Sequence, residues 1–364
     1  MRLYPGVVWR YFFRRYVVTL LAYSAAILFI ILLVDFNESS RRISASENYT
    51  IAIGIYLSAL RLPMVMQTAL PFVALIASIV TLTQLNRKYE LVVVRAAGIS
   101  AWQFLAPLIV ANLLLGLFSI MVLNPLSANS TSLAESMMLE QGLGSTRKGA
   151  DKTVPWLRQR TEQGDTVIGA RESADGGTRL GNVTFFRFDS DNHLRDRLEA
   201  KSVVLAEGEW QLTDIIRFRA NEKPERIDSL AILTNLQAEF LGESLASPDS
   251  VSFFDLPSKI AAAQSYGMPA NAYAMQLHRL IAQPALLAAM TLIAAVVSLK
   301  FVRFGQSLSV VLGGILAGFV LYVVSDLIQS FGNAGTIPPF VAAWLPVLVA
   351  SALGTTILLH KEDG

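Results

Sequence analysis

The sequence has no cysteine and only three histidines, His193, His278 and His360. The first absence excludes disulfides, thiolate zinc sites and thiol chemistry. The histidines are too few and too scattered for a histidine metal centre. Charge is scarce as well: Asp, Glu, Lys and Arg make up 16% of the 364 residues, against about 25% in an ordinary soluble domain. The net charge of +2 leaves no nucleic-acid footprint in the total. Catalytic signatures are missing too. The stretch Gly142-Leu-Gly-Ser-Thr-Arg-Lys-Gly149 has a passing likeness to a phosphate loop but lacks the Gly-Lys-Ser/Thr ending and a preceding strand. There is no His-Glu-x-x-His and no Gly-x-Ser-x-Gly. The pair Asp189 and Asp191 reads as turn chemistry at a hairpin rather than acid–base work.

What is present is apolar and unevenly arranged. Hydrophobic residues make up 53% of the chain, and residues 135–279 hold 38 of its 58 charged side chains. Two apolar blocks therefore flank one polar block. That pattern excludes disorder, a collagen-like fibre and a single soluble globule. It leaves an integral membrane protein with a water-exposed insert.

A span needs about 20 apolar residues to cross roughly 30 Å of hydrocarbon. Uncharged runs predict helices over about 17–34, 62–86, 100–123, 280–299, 304–325 and 337–359. The third run, Ala96–Ala134, exceeds one membrane thickness, so its helix is expected to project beyond it. Gly335 and the Pro338-Pro339 pair mark a turn before the sixth helix. Trp9, Tyr11, Phe12 and Phe13 lie among arginines and suit an interfacial segment leading into the first helix.

Loop Lys and Arg set the expected orientation. Arg2, Arg10, Arg14, Arg15, Arg87, Lys88, Arg95, Lys300, Arg303 and Lys361 fall on one side of a six-span chain. Both termini are thus expected in the cytoplasm and the polar block outside it. No charge lies mid-span, which argues against an ion-driven pump, so any energy must come from a partner. The most interior polar group is Asn112, expected to make an interhelical hydrogen bond.

The polar block alternates as strands do in Asn182–Asp189, Glu209–Arg219 and Arg226–Phe240. Asp175-Gly176-Gly177, Asp191-Asn192 and Glu207-Gly208 supply turns between them. A sandwich, jelly roll or partly open barrel is expected, with residues 258–279 helical and leading back to the membrane. The predicted organisation is three spans (1–134), a β domain (135–258) and three spans (259–364).

Three constellations stand out. The loop Asn86-Arg-Lys-Tyr-Glu-Leu-Val-Val-Val-Arg-Ala-Ala-Gly-Ile-Ser100 suits a short amphipathic surface helix. It would show Leu91 to Val94 to a partner groove, with Glu90 and Arg95 as rim charges; the plainer reading is a basic connector. Arg41, Arg42 and Arg61 could fork an anionic headgroup; the plainer reading is loop charge paired with Glu38 and Glu47. The fifth span carries Gly305, Gly313, Gly314 and Gly318 for close or changing helix contacts, with Tyr322 and Asp326 at its outer end; the plainer reading is packing.

The stretch Tyr89-Glu-Leu-Val-Val-Val-Arg-Ala-Ala-Gly-Ile-Ser100 resembles the coupling segment of the lipopolysaccharide export permeases, the LptF/LptG family. Pro71-Phe72, Asn124-Pro125, Gln283-Pro284, Phe319-Val-Leu-Tyr-Val-Val-Ser-Asp326 and Ile337-Pro-Pro-Phe-Val-Ala-Ala-Trp-Leu-Pro346 add to the likeness. It covers both membrane halves and is weak in the β domain. The LptG branch looks closer than LptF, through Val34-Asp35 and the stretch from Tyr322 to Asp326.

The resemblance implies a bacterial inner-membrane permease with a periplasmic, jellyroll-like β domain. It implies a heterodimer with an LptF-like paralogue on two copies of a cytoplasmic LptB-like ATPase, which binds the ATP and Mg; no cofactor is expected on this chain. Lipopolysaccharide would pass to LptC-like and LptA-like bridge proteins. Glu90, Leu91, Val94, Arg95 and Gly98 would then couple to the ATPase. Gly313, Gly318, Tyr322 and Asp326 would belong to a lateral gate. One departure concerns the headgroup. LptG proteins carry a lysine just before the Val-Asp pair of the first span, but Ile31-Leu-Leu-Val-Asp35 has none. The basic pair is offset to Arg41 and Arg42, and Arg61 is expected to share its task. A competing reading is a structural or signalling membrane protein whose β domain binds a partner. A lipid-modifying enzyme would need a nucleophile, base or metal cluster that the sequence does not offer.

Overall fold

The computed structural model describes residues 5–43, 50–140, 157–161, 164–174, 178–189, 193–206, 208–219, 222–234, 248–265, 270–299 and 308–362. Several expectations fall outside these residues: Arg2, Glu47, the 142–149 stretch, the Asp175-Gly176-Gly177 and Asp191-Asn192 turns, Glu207, residues 235–240, Lys300, Arg303 and Gly305. The side chains of Arg42 and Lys361 lie outside them as well.

The chain divides into two compact units. The first comprises Met1–Gly144, Ser252–Leu256 and Asn271–Gly364; the second comprises Ser145–Val251 and Pro257–Ala270. The return to the membrane unit thus falls at Asn271, twelve residues beyond the expected 259. The reason is packing: Ile260, Ala262, Ala263 and Ala270 belong to the apolar core of the β unit.

The membrane unit is helical because a chain in hydrocarbon must satisfy its backbone polar groups internally. Its elements are α1 (Pro5–Ile43), α2 (Ile51–Arg87), α3 (Glu90–Ala96), α4 (Ala101–Phe118), α5 (Asn124–Glu140), α7 (Asn271–Ser298), α8 (Leu308–Asn333) and α9 (Pro339–Glu362). Among the described residues, six stretches are long and apolar enough to cross a membrane.

Several ends differ from expectation. The first helix begins at Pro5, so the aromatic segment continues it rather than preceding it. There Phe12 is buried against Phe104, with ring centroids 6.4 Å apart, while Trp9 stacks on Phe13. The third helix projects beyond its span, as expected, running on past Asn124-Pro125 to Glu140. A single π turn, Ser119–Leu123, leads into α5. Such a turn fits here because Pro125 has no N–H to give to the preceding turn. The fifth helix runs on to Asn333, so Asp326 lies two turns inside it. Gly335, at φ +75°, then makes the expected turn into α9.

Burial is uneven. In the most apolar 18-residue window of α2, 61% of residues are buried, against 6% in α1 and 17% in α8. The core is therefore α2 with α4 and α7 around it, and α1 and α8 lie on its outside. Phe12, Tyr16 and Leu20 fasten α1. Deep in this core Asn112 makes the interhelical hydrogen bonds expected of it. Its Oδ1 accepts from the Tyr16 hydroxyl at 2.8 Å, and its Nδ2 donates to Thr291 Oγ1. The Ser78 hydroxyl donates to Tyr16 Oη at 3.2 Å. Four helices are thus tied at one buried knot.

Among its described residues the second unit holds six antiparallel strands that pair in sequence order. They are β1 (Leu157–Thr161), β2 (Gly164–Ala174), β3 (Arg179–Phe188), β4 (Leu194–Ala206), β5 (Glu209–Phe218) and β6 (Glu225–Leu233). The inserted β domain is as expected; its described strands form a meander, without the crossovers of a jelly roll. The sheet curls. Gln159 on edge strand β1 donates from Nε2 to the Leu233 carbonyl at the opposite edge, and accepts from the Thr234 hydroxyl at 2.7 Å. Inside the curl lie Phe185, Leu198, Trp210, Leu212 and Ile215, closed over by α6 (Leu256–Ser265).

Candidate functional site

The short helix α3 is set by its ends. Tyr89 adopts a left-handed backbone (φ 59°) to turn the chain out of α2, and Gly98 (φ +83°) turns it into α4. A residue with a side chain is strained in that region and glycine is not, so Gly98 is required by geometry. Ser100 then caps α4, accepting from the Gln103 N–H while the Gln103 side chain bonds back to the Ser100 N–H.

The side chains of α3 are disposed differently from expectation. Leu91 and Val94 are 3% and 9% exposed and belong to the membrane core. They hold the helix in place and are not offered to a partner. The surface consists instead of Tyr89 (71% exposed), Val93 (62%), Arg95, Ala96, Ala97 and Gly98. Arg95 lies with its guanidinium carbon 5.8 Å from the Phe104 ring centroid. A shallow cleft beside the helix is lined by Asn86, Leu91, Val92, Arg95 and Leu299.

Glu90 also departs from the picture of a free rim charge. It is half-buried, and both carboxylate oxygens accept from α1. Arg15 Nη1 reaches Oε1 at 2.9 Å and Oε2 at 3.0 Å, and the Tyr11 hydroxyl reaches Oε2 at 2.9 Å. Arg15 donates to Tyr11 as well, at 2.6 Å. Sequence reasoning missed Arg15 and Tyr11 as members of this site. Their i, i+4 spacing puts them on one helix face, but it was absorbed into an interfacial belt.

The arginine set is spread out. Arg41 is exposed two residues before the end of α1. Arg61 is half-buried on α2, with an interaction within the chain. Tyr16 meets Ala74 and Ser78, which fixes the register of the two antiparallel helices. Counting along both from there, Arg61 lies level with about Ile31, roughly 15 Å along the axis from Arg41 at 1.5 Å per residue. The set therefore occupies two depths. Arg61 stands at the level where the first span lacks a base.

On α8, Gly313 has open space around it. Gly314 and Gly318 face inward: a Cβ at Gly318 would stand 2.1 Å from Leu75 Cδ2, and one at Gly314 would stand 2.9 Å from Val297 Cγ1. The close-packing face is thus Gly314 and Gly318. Tyr322 continues it, its ring centroid 4.8 Å from that of Phe72, while Asp326 is exposed.

This arrangement is an apolar helical core with a short surface helix pinned to it and two outer helices, α1 and α8, largely exposed along their most apolar stretches. The chain is 23% identical over 341 residues, 91% of each protein, to the lipopolysaccharide export system permease protein LptG of Escherichia coli (strain K12). It is 24% identical over 349 residues, 91% of this chain and 92% of the other, to the protein of the same name from Haemophilus influenzae. The family model described as lipopolysaccharide export system permease LptF/LptG matches residues 10–360, and the chain belongs to that family of multi-pass export permeases.

Proposed function

We propose that the chain is the LptG-type half of a heterodimeric permease that lifts lipopolysaccharide from the outer leaflet of the inner membrane. The observation that carries this reading is α3: a short helix fixed to the core by Leu91 and Val94 and to α1 by Glu90, with Tyr89 and Val93 left exposed. Such a helix suits docking in the groove of a soluble partner. Energy must enter there. Each buried CH₂ is worth roughly 0.8 kcal/mol, so lifting a multi-chain lipid in one step costs tens of kcal/mol. Two copies of an LptB-like ATPase, holding the ATP and Mg, supply it. The chain itself binds no cofactor. Both termini and α3 face the cytoplasm, and the β unit faces the periplasm. There it delivers lipid to LptC-like and LptA-like proteins. The LptG assignment is supported by the names of the two relatives above.

The other roles follow the same reading. Arg41, Arg42 and Arg61 attract the anionic headgroup at two depths. The inward face of α8, with Gly318 and Tyr322, lets that helix shift against α2, while Gly313 and Asp326 face outward at the same gate. Native mass spectrometry of the tagged chain, extracted from its own membrane in mild detergent, tests the assembly. The expected mass contains one paralogous permease, two ATPase copies and bound lipopolysaccharide. A clean monomer or homodimer across several gentle detergents overturns it.

A further inference from the structure

The structure shows where motion of α3 would go. Its covalent neighbours, α2 and α4, are core helices. Along its most apolar stretch α1 is the least buried of the six spans; its fully buried apolar side chains, Phe12, Tyr16 and Leu20, lie toward its N-terminal end, and Ser39 is buried near the other. Glu90 reaches past its own neighbours to grip α1 at its N-terminal end, through Arg15 and Tyr11. The next residue, Tyr16, is bonded to Asn112 and Ser78, which act as a fulcrum. Beyond it α1 continues to Ile43, about 40 Å at 1.5 Å per residue, so a tilt of about 10° at the grip moves the far end by about 7 Å.

We propose that Arg15 and Glu90 form a strut that delivers displacement of α3 to α1, making Arg15 a positioning residue of the export cycle. The proposal rests on the reading of α3 as the ATPase dock. It separates two roles of one short helix: Tyr89 and Val93 meet the partner, and Glu90 passes the movement inward. The carboxylate is then occupied within the chain while the exposed face binds. Arg15 Nη1, the nitrogen that reaches both carboxylate oxygens, also donates to the Tyr11 hydroxyl, and Tyr11 itself donates to Glu90, so the three side chains close into one cluster.

A charge swap in the complete complex tests this. Arg15→Glu, Glu90→Arg and the double variant are purified with their co-extracted ATPase and placed in vesicles containing lipopolysaccharide. The readout is ATP-dependent release of that lipid. Arg15→Glu is expected to keep the ATPase bound while release falls about tenfold, and the double swap to recover to within about threefold of wild type, a coupling of ordinary allosteric size. Arg15→Lys, which keeps charge and fold, is expected to fall in between at an unchanged melting temperature. A double swap no better than either single overturns the strut, as does normal release by Arg15→Glu. Glu90→Arg losing the ATPase without recovery in the double shows instead that Glu90 acts on the partner directly. A wild-type preparation without ATPase overturns the export reading itself, and the strut with it, a result distinct from an assembled complex in which the swap fails.

Discussion

Leu91 and Val93 are two positions apart, yet one is buried in the membrane core and the other is largely exposed. Their substitutions should separate stability from assembly. Leu91→Ala removes a buried side chain and should lower stability by about 2–4 kcal/mol, seen as a lower melting temperature in detergent. Val93→Asp changes a largely exposed side chain, so its melting temperature should stay within a degree or two of wild type while co-purified ATPase is lost. Equal melting losses for both would mean that Val93 packs inward. The sequence marks four apolar residues in a row here, and a run without polar interruption has no phase from which to read the inward face. Asn112 was easier to read. A lone amide inside an uncharged run needs a partner in hydrocarbon, and it has two. Glu90 was harder, because its partners lie 75 and 79 residues away on α1.

Helix contacts in this chain depend on a few glycines and prolines. A Cβ at Gly116 would stand 2.4 Å from Pro284 Cα, a backbone atom that cannot turn aside. Beside that crossing, Ser119 Oγ donates to Gln283 Oε1, and Gln283 Nε2 donates to the Gln67 carbonyl. Gly116→Ala should therefore spread α4 from α7 and lower the melting temperature well beyond the effect of Gly313→Ala, whose Cβ meets nothing. Similar losses would show that the crossing has room. The strands show the limits of pattern reading. In β3 the inward Val183 and Phe185 were legible; in β5 Trp210 and Leu212 were, but the phase shifts at Asp214 (φ 53°) and buries Ile215 in place of the Ile216 that plain alternation selects. In β4 the inward series runs Asp196, Leu198, Ala200 and then Val203, so it opens on a carboxylate and changes phase. Asp196 is buried because Arg187 forks it from β3, with Nε to Oδ1 at 2.7 Å, and Arg217 Nε approaches from β5 at 3.7 Å. A cross-strand ion pair of this kind makes a core position look like surface.

At the level of the molecule, six apolar runs and one polar insert were legible because hydrocarbon thickness and chain polarity leave few alternatives. The insert's end was not. Alanine-rich α6 reads as a lead-in to the membrane, and only its contacts assign it to the β core. The proposed orientation can be checked directly, since the chain has no native cysteine to confuse labelling. His193→Cys, at an exposed position of the β unit, should react with a membrane-impermeant maleimide in intact spheroplasts. Val93→Cys should react only after lysis. The reverse pattern would invert the topology. The buried knot has a further consequence, in time rather than in space. Asn112 and Thr291 are 179 residues apart in sequence, with the entire β unit made between them. At about 5–20 residues per second, synthesis leaves an interval on the order of 10–40 s. Over that interval the Asn112 amide awaits its acceptor while the insert crosses the membrane. The knot can close only behind a completed insert, so a nascent chain whose β unit stalls keeps its two membrane halves unfastened at this point.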